Sequence, residues 1–590
     1  MAKMQNIEEI FPGLSITGCR WRSANVNEIK AKELSNKLHI HPIVGRALAW
    51  RGLTEVSQAQ QFISTSLNNI PDPRGMLNMD RAQITLLKAL QDSTPIRIVG
   101  DYDCDGTTGL ITLLQAFRLI NPAATKNISY HVPDREKDGY GLNPGIIEKA
   151  SAEGVKILIS VDIGITAHSE WAMAKEKGIT GICIDHHTIL GSRAPEDAIV
   201  LCPKQAGCEY PEKDLAACGI SLQLAKVLLS GHSRQDAILE SLCKLVAIGT
   251  ISDMVPLNSY SNRAIVQAGL RGLNNGSTNK GLDALLTISG LNNHKVSSYD
   301  LGFKLGPRIN AAGRMDGSTL QVISLLDAAS KEDAWTMASQ IDELNRQRQA
   351  VQQWLVDQIL KKIEEEDSKE LVYVLGGEHE EGWHQGVVGI AAAKIVERYG
   401  RPALICSIRN GIAHGSARSI KAFNIVQALE AVSDGLLIKY GGHTAAAGFS
   451  LKAENLGLLR KRINAHAHNT LTKEDLIHTR TYEGELNPAD INLDLIRTLA
   501  LLEPHGIENP RPSFIVRGRL IELRIIANKH LRMRIAGKGP SLEAIWWHHS
   551  DLYDQLRVGT SVAMLGKIEI NEWNGVQKPQ LNIDDMYRLN

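Results

Sequence analysis

From about residue 94 to residue 260, short apolar runs alternate with amphipathic helical stretches. The runs are IRIVG, NISYHVP, VKILISVD, ITGICID and AIVLCP. Strands that alternate with helices join as βαβ units, so the pattern predicts an α/β fold around a parallel sheet. Each run ends in polar, acidic or histidine residues. Ligands of open parallel sheets sit at the carboxyl ends of the strands, which is where those residues fall.

The 590 residues exceed one core, and at roughly 150 residues per domain they suggest about three or four domains. Residues 1 to about 50 are mixed, with a helix expected in VNEIKAKELSNKL. The stretch 338–366 has neither Gly nor Pro, and Ile341, Leu344, Val351, Leu355 and Ile359 recur at helical spacing. It reads as one long helix connecting two domains, the alternative being a surface helix within one. A second α/β unit follows: ELVYVLG, a helix from about Val387 to Tyr399, then PALICSI. Gly400 and Pro402 stand where that helix should stop. From about 475 the runs SFIVRGRLIELRII, HLRMRIAG, LEAIWW and SVAMLGKIEINEW predict a small antiparallel barrel. In HLRMRI, Leu531, Met533 and Ile535 alternate with Arg532 and Arg534, a half-buried strand with a basic outer face.

The stretch VGDYDCDGTTGL places Asp101, Asp103 and Asp105 directly after an apolar run. Three carboxylates there repel one another, and a divalent cation removes the repulsion. On an extended segment, alternating residues project to one side. An acidic turn with a helix N-cap is the alternative for this motif alone. Other apolar segments add Asp162, then Asp185, His186 and His187, then Asp253. Carboxylates and imidazoles without thiolates suit Mn²⁺, Mg²⁺ or Zn²⁺, with a lean to Mn²⁺. The ligands are too many for one ion, so two ions roughly 3.5–4 Å apart are expected.

Composition narrows the rest. Hydrophobic residues make up 43% and charged residues 22%, as in ordinary globular proteins, and the formal net charge is zero. A polyanion partner must therefore meet a local basic patch. The eight cysteines form no CxxC, so reduced buried thiols are expected rather than a zinc site. MAKMQNIEEIFPG has no apolar core of signal-peptide length, and the chain has no long uncharged apolar run. A cytoplasmic protein with no membrane association is the expectation.

Taken in order, VGDYDCDGTTG, VPDREKDGYGL, SVDIGI, DHH at 185–187, AIGTISDMVPL and GPRINAAGRM resemble the RecJ family of the DHH phosphoesterase superfamily. WHQGVVGIAAAKI, GSARSI and GGHTAAAGFS look like that family's DHHA1 domain, and the C-terminal strands like its OB-fold. The resemblance runs from about residue 40 to the end. It implies a 5′→3′ exonuclease that hydrolyses single-stranded DNA to mononucleotides with two divalent ions, in DNA recombination and repair. It also implies this division: an N-terminal segment 1–50, a DHH catalytic domain 51–335, a connecting helix 336–367, a DHHA1 domain 368–470 and an OB-fold barrel 475–590.

By resemblance, Asp103, Asp105, Asp162, His186 and Asp253 are the metal ligands, with Asp162 as the bridge. Asp101 and His187 stand beside them, to complete a coordination shell or to hold phosphate and water. Cys104 and Asp134 depart from the family pattern, and Asp134 adds an acid beside Arg135. Arg135, Ser416 and Arg418 would form the 5′-phosphate pocket. In GPRINAAGRM, Arg308, Asn310 and Arg314 offer phosphate contacts, since the planar guanidinium fork can bind two phosphate oxygens. Gly441 and Gly442 permit close backbone approach, and His443 could contact a phosphate. His384 is as readily a core histidine as a functional one. Lys529, His530, Arg532, Arg534, Trp546, Trp547 and Trp573 fit an OB-type single-strand surface, with two of the tryptophans expected in the core. Partners implied are a single-strand-binding protein and a RecQ-type helicase, with a monomer as the default. The alternatives are a DHH oligoribonuclease or cyclic-dinucleotide phosphodiesterase, or a scaffold that binds DNA without cutting it.

Overall fold

The structure is a computed structural model that describes residues 11, 13–133, 141–189, 193–276, 278–315, 318–366, 370–537 and 539–589. Strand β1 (Arg20–Ser23) opens it, followed by helices Glu28–Leu38, Pro42–Trp50 and Val56–Ile63. Asn27 starts the first helix by accepting from the Lys30 N–H at 3.1 Å. Leu34, Val44, Leu48 and Phe62 of these helices are buried in one core with Phe514, Leu531 and Met533 from the other end of the chain. β1 likewise pairs with Thr479–Tyr482. The N-terminal segment thus folds onto the C-terminal unit, and its shared core reaches past residue 50 to Phe62.

Strands β2 (Ile96–Gly100), β3 (Ile128–His131), β4 (Ile157–Val161), β5 (Thr180–Ile184) and β6 (Ala198–Leu201) form the expected sheet, in the order β3-β2-β4-β5-β6. All its pairings are parallel. Gly100, Val161, Ile184 and Leu201 lie on one register line. The next residues of the first three strands are therefore Asp101, Asp162 and Asp185, side by side on one edge. Strand order reverses between β2 and β4, the switch point at which open sheets hold ligands.

The connector is one helix, Lys331–Glu365, beginning five residues before the expected 336 because Ser330 caps it by accepting from the Asp333 N–H. Ala334, Ala338 and Ile341 belong to the first α/β core, and Leu355, Ile359 and Ile363 to the next. That second unit has β7 (Tyr373–Glu378), β8 (Ala403–Arg409), β9 (Ile412–Arg418), β10 (Leu437–His443) and β11 (Ala446–Lys452), ordered β10-β11-β9-β8-β7. Its helix Val388–Tyr399 ends at Gly400, whose φ of 63° is left-handed.

The last unit holds β12 (Thr479–Tyr482), β13 (Gly484–Leu486), β14 (Phe514–Ile526), β15 (His530–Ala536), β16 (Leu542–Trp546), β17 (Ser561–Trp573) and β18 (Val576–Leu589). Its pairings run β14–β15–β16–β18–β17 and return to β14. The β13–β14 and β16–β18 pairs are parallel, so the unit is not purely antiparallel as expected. β15 alternates as its sequence predicts, with Leu531, Met533 and Ile535 buried. Only Trp546 of the three tryptophans is in the core. Trp547 follows it in the opposite phase, and Trp573 stands at the β17–β18 hairpin end, so both are exposed. All eight cysteines are buried free thiols, and among the described residues no helix is long and apolar enough to cross a membrane.

Candidate metal centre and phosphate contacts

Asp101, Asp103 and Asp105 do not share an extended segment. β2 ends at Gly100 and the helix Cys104–Ile120 begins four residues later. Asp103 caps it, its Oδ1 accepting from the N–H groups of Asp105 (2.9 Å) and Gly106 (3.1 Å). Asp105 lies in the first turn, fully buried, and its two oxygens accept from Ala217 N and Cys218 N at 2.8 Å each. Those amides open the helix Ala217–Leu228, so a helix N-terminus holds this carboxylate in place. A turn and two helix starts, not strand alternation, converge the three acids. Cys104 is buried in the core, as a packing residue.

Asp162 follows β4 with φ 66°, a left-handed conformation uncommon outside glycine. Asp253 caps the C-terminal end of the helix Gln235–Ser252. His186 joins these elements: its Nε2 lies 3.3 Å from Asp162 Oδ1, 3.3 Å from Asp253 Oδ2 and 3.8 Å from Asp105 Oδ2. Three groups of ligand atoms lie within 4.8 Å of one another: Asp162–His186–His187, Asp105–His186–Asp253 and Asp101–Asp103–Asp162. Asp162 belongs to two of them, consistent with a shared ligand, and so does His186.

The electrostatics are those of carboxylates crowded together in a buried site. Burial raises Asp105, Asp162 and Asp253 above the usual carboxylate range, and the neighbouring carboxylates raise them further. Burial lowers His186, keeping its imidazole neutral as a ligand must be. Asp162 Oδ1, Asp253 Oδ2 and both His186 ring nitrogens are buried with no hydrogen-bond partner. Buried polar atoms are nearly always satisfied, so this convergence of orphaned acceptors fits divalent cations.

Asp185 is the member whose role the sequence did not disclose. Its Oδ1 accepts from His186 N (2.8 Å) and His187 N (3.0 Å), and its Oδ2 from Ile165 N (3.0 Å). Burial alone would raise it, but the His187 hydrogen bond and charge prevail and hold it below the usual range. Its place in the Asp-His-His run was the available signal.

The helix Gly306–Ala312 lies across the cluster. A side chain at Gly306 would strike Ser252, beside Asp253, and one at Gly313 would strike the Tyr102 carbonyl within the acidic turn. Arg308 is engaged by Asp342 (2.9 Å) and donates to Lys304 O (2.8 Å). Asn310 Oδ1 is buried without a partner, and Arg314 reaches Gly386 O at 3.3 Å, bridging to the second unit. There, Arg418 donates to Ser416 Oγ at 2.8 Å, and Gly389, in the first turn of the helix Val388–Tyr399, packs against both side chains. Serine, arginine and a helix start are groups suited to an anion. Arg418, Ala446 and His443 lie on one register line, so His443 shares the Arg418 face two strands away, roughly 10 Å. A side chain at Gly442 would strike Ala446 O. His384 Nδ1 accepts from Gly386 N in the turn before that helix. Arg135 lies outside the described residues. On the last unit, Arg532 pairs with Glu543, and Arg534 with Glu543 and Glu522, so the face expected to be basic is largely neutralised. Lys529 and Trp573 are exposed.

Family models match in the same order: the DHH family N-terminal domain over residues 95–250, the DHHA1 domain over 367–469 and the RecJ OB domain over 482–585. The single-stranded-DNA-specific exonuclease RecJ of Bacillus subtilis is 36% identical over 572 residues, covering 96% of this chain and 70% of that protein. The chain belongs to the RecJ family. The RecJ of Escherichia coli is 32% identical over 93% of this chain and 96% of its own. The crystal structure of Thermus thermophilus RecJ with Mn²⁺ superposes with a TM-score of 0.80, at 26% identity, covering 97% of this chain and 80% of that one. A Mg²⁺ complex of the same RecJ matches with a TM-score of 0.75 at 25% identity over 97% of this chain and 79% of that one.

Proposed function

We infer that this chain is a metal-dependent 5′→3′ exonuclease that hydrolyses single-stranded DNA to 5′-mononucleotides. The observation that carries the reading is the cluster of three ligand groups linked through Asp162 and His186, with buried polar atoms of both left unpaired. Asp103, Asp105, Asp162, His186 and Asp253 are proposed to hold two divalent ions, Mn²⁺ or Mg²⁺, with Asp101 and His187 beside them. Such ions, when bound, lower the pKa of water and offset charge on the phosphoryl oxygens.

The protein's own residues do the rest. Helix N-termini and backbone amides fix Asp103 and Asp105, so the carboxylates need little reorganisation. Burial would lower His187, but Asp185 outweighs it and raises the imidazole above its ordinary range. His187 can therefore hold a proton for the leaving 3′ oxygen. Arg418, Ser416 and the start of the helix Val388–Tyr399 are proposed to seat the terminal 5′-phosphate, with Arg135. Gly442 and His443 would line the nucleotide, and Lys529 and Trp573 would carry the strand farther out. The division at 1–50, 51–335, 336–367, 368–470 and 475–590 is proposed with the first segment seated on the last.

The test incubates protein and Mn²⁺ with single strands labelled at either end, with and without a 5′-phosphate, and with a duplex control. Stepwise release of mononucleotides from the 5′ end of single strands alone is expected. Cleavage of short RNA or cyclic dinucleotides instead would keep the metal site and overturn the substrate. Tight binding without cleavage in any metal would favour a scaffold.

A further inference from the structure

The inward stripe of the helix Lys331–Glu365 changes character halfway along. Its N-terminal part, Ala334, Ala338 and Ile341, packs in the first α/β core. Its C-terminal part, Leu355, Ile359 and Ile363, packs in the second. Between them, at the same three-and-four spacing, the buried residues are Asp342, Asn345 and Arg348. A stripe that spans two cores has reason to turn polar only where it crosses the space between them.

The charges in that space are not balanced. Asp342 pairs with Arg308 at 2.9 Å, and at its rim with the exposed Arg346 at 2.8 Å, which also meets Glu343 at 4.0 Å, so the buried pair Asp342–Arg308 is matched and Arg348 is the cation left over. Arg348, 8% exposed, has no carboxylate within 4.0 Å among the described residues. Its Nη1 donates to Gln352 Oε1 at 2.7 Å and its Nη2 to Asn345 Oδ1 at 2.6 Å. Arginine carries five N–H donors, so the two amides aim the fork and leave donors over. A buried cation costs free energy unless an anion accompanies it. Nothing in the packing requires a guanidinium here, because the stripe on either side is aliphatic.

Position names the anion. Arg308 sits on the helix Gly306–Ala312, whose flanking glycines pack beside Asp253 at one end and the acidic turn at the other. Arg348 adds to the positive field at that helix, its own guanidinium held down by burial and then by the Arg308 charge. We propose that Arg348, aimed by Asn345 and Gln352, is a phosphate-binding residue that takes a phosphodiester of the single strand as it passes between the two α/β units. This rests on the exonuclease reading above and adds a positioning contact beside the metal cluster.

The experiment measures binding of 5′-phosphorylated oligothymidylate to the full chain in EDTA, over a range of salt, and steady-state cleavage in Mn²⁺. Arg348→Gln and Arg348→Met are both used, each checked by thermal melting, so that one folded neutral variant suffices. Affinity is expected to fall about ten-fold, the scale of one charged hydrogen-bonded contact. The slope of log affinity against log salt should shrink by about 0.7, the share of one phosphate on a single strand. KM should rise with kcat nearly unchanged, and Arg348→Lys should restore the slope. Packing loss alone would not move the slope. An unchanged slope in a folded neutral variant, beside active wild-type protein, would overturn the Arg348 assignment alone. Wild-type protein that neither binds nor cleaves single strands would overturn the exonuclease reading, and this one with it.

Discussion

Nδ1 of His187 lies 2.8 Å from Oδ1 of Asp185, a carboxylate that also accepts three backbone N–H groups. Asp185 is so fixed that it cannot turn away, and it sets both the orientation and the proton position of the imidazole. Asp185→Asn keeps the shape but removes the charge that sustains the His187 proton. Turnover is expected to fall about 10–100-fold, the usual cost of losing a supporting carboxylate behind a site histidine. The alkaline limb of the Mn²⁺-dependent kcat profile, where the His187 proton is lost, should move to lower pH. Measured rates within two-fold of wild type at every pH would remove Asp185 from the mechanism.

Asp162 takes part in two of the three ligand groups and sits at φ 66°. Asparagine tolerates that backbone better than alanine, so Asp162→Asn isolates the charge. Turnover should drop at least about 100-fold, as expected for a group that serves two metal positions. In EDTA the variant should melt no lower than wild type, because it removes one of several mutually repelling buried acids. Mn²⁺ should then raise the wild-type melting temperature more than the variant's, since binding to the folded state stabilises it. Calorimetric melts with and without Mn²⁺ decide the point, and equal increments would argue that Asp162 is not a ligand.

The site was more legible in the sequence than the contacts that assemble the chain. Asp162, Asp185 and His186 each follow an apolar run, and a parallel sheet brings such ends together by its register alone. The acidic turn is ambiguous in the sequence: alternation of Asp101, Asp103 and Asp105 suits a strand, while the Asp-Gly pair and a helix N-cap suit the turn, and the structure takes the second form, with Asp103 as the cap. The basic face of β15 read correctly in phase but not in charge. Glu522 and Glu543 neutralise it from adjoining strands, and cross-strand partners are not ordered by sequence distance. The packing of Leu34 and Leu48 against Phe514 is equally non-local, so no local periodicity announces it.

Arg263 is fully buried and donates to Phe62 O and Glu503 O at 2.6 Å each, and to Leu501 O and Pro504 O at 3.3 Å each. Its guanidinium also lies 3.7 Å over the Phe62 ring. One side chain thereby ties the first α/β unit to the N-terminal helices and to the segment leading into the OB unit. Arg263→Met takes one donor from each of four carbonyls, although Glu503 O keeps Gln267 and Pro504 O keeps Asn509, and a loss on the order of 2–3 kcal/mol is expected. Limited proteolysis should cut the variant first near residues 500–511, where those carbonyls are freed. Resistance equal to wild type would show that the tie is redundant.

Glu483 and Arg51 are both buried and 3.2 Å apart. Burial raises Glu483 from the usual range to about 7, with Arg51 opposing the rise. A carboxyl with a raised folded pKa gives its full contribution below the unfolded value and loses it as pH climbs through the folded one. The contribution therefore fades between about pH 4.5 and 7, by roughly 3 kcal/mol at most. Glu483→Gln removes this proton. Its melting temperature should gain on wild type as pH rises across that window, and a constant difference would mean that Glu483 stays ionised throughout.

The OB unit's affinity for single strands should depend less on its strand arginines than their number suggests. Arg532 is 2.8 Å from Glu543, Arg534 lies 3.5 Å from Glu543 and 3.7 Å from Glu522, and Arg524 also meets Glu522 at 3.5 Å, so two acids are shared among three paired cations. Phosphate binding there would first have to break those pairs. Lys529 is exposed at the β14–β15 turn and makes no ion pair among the described residues. Exposed Trp547 packs edge-on against His530, with ring centroids 4.7 Å apart, giving a base somewhere to stack beside that lysine. Lys529→Gln should lower the salt slope of single-strand binding by about 0.7. Arg532→Gln should change it by much less, and Glu543→Gln should strengthen binding by freeing both arginines. The three variants, titrated against the same oligonucleotide over a salt series, separate a paired charge from an available one. A larger slope change in Arg532→Gln than in Lys529→Gln would mean that DNA does displace the glutamates.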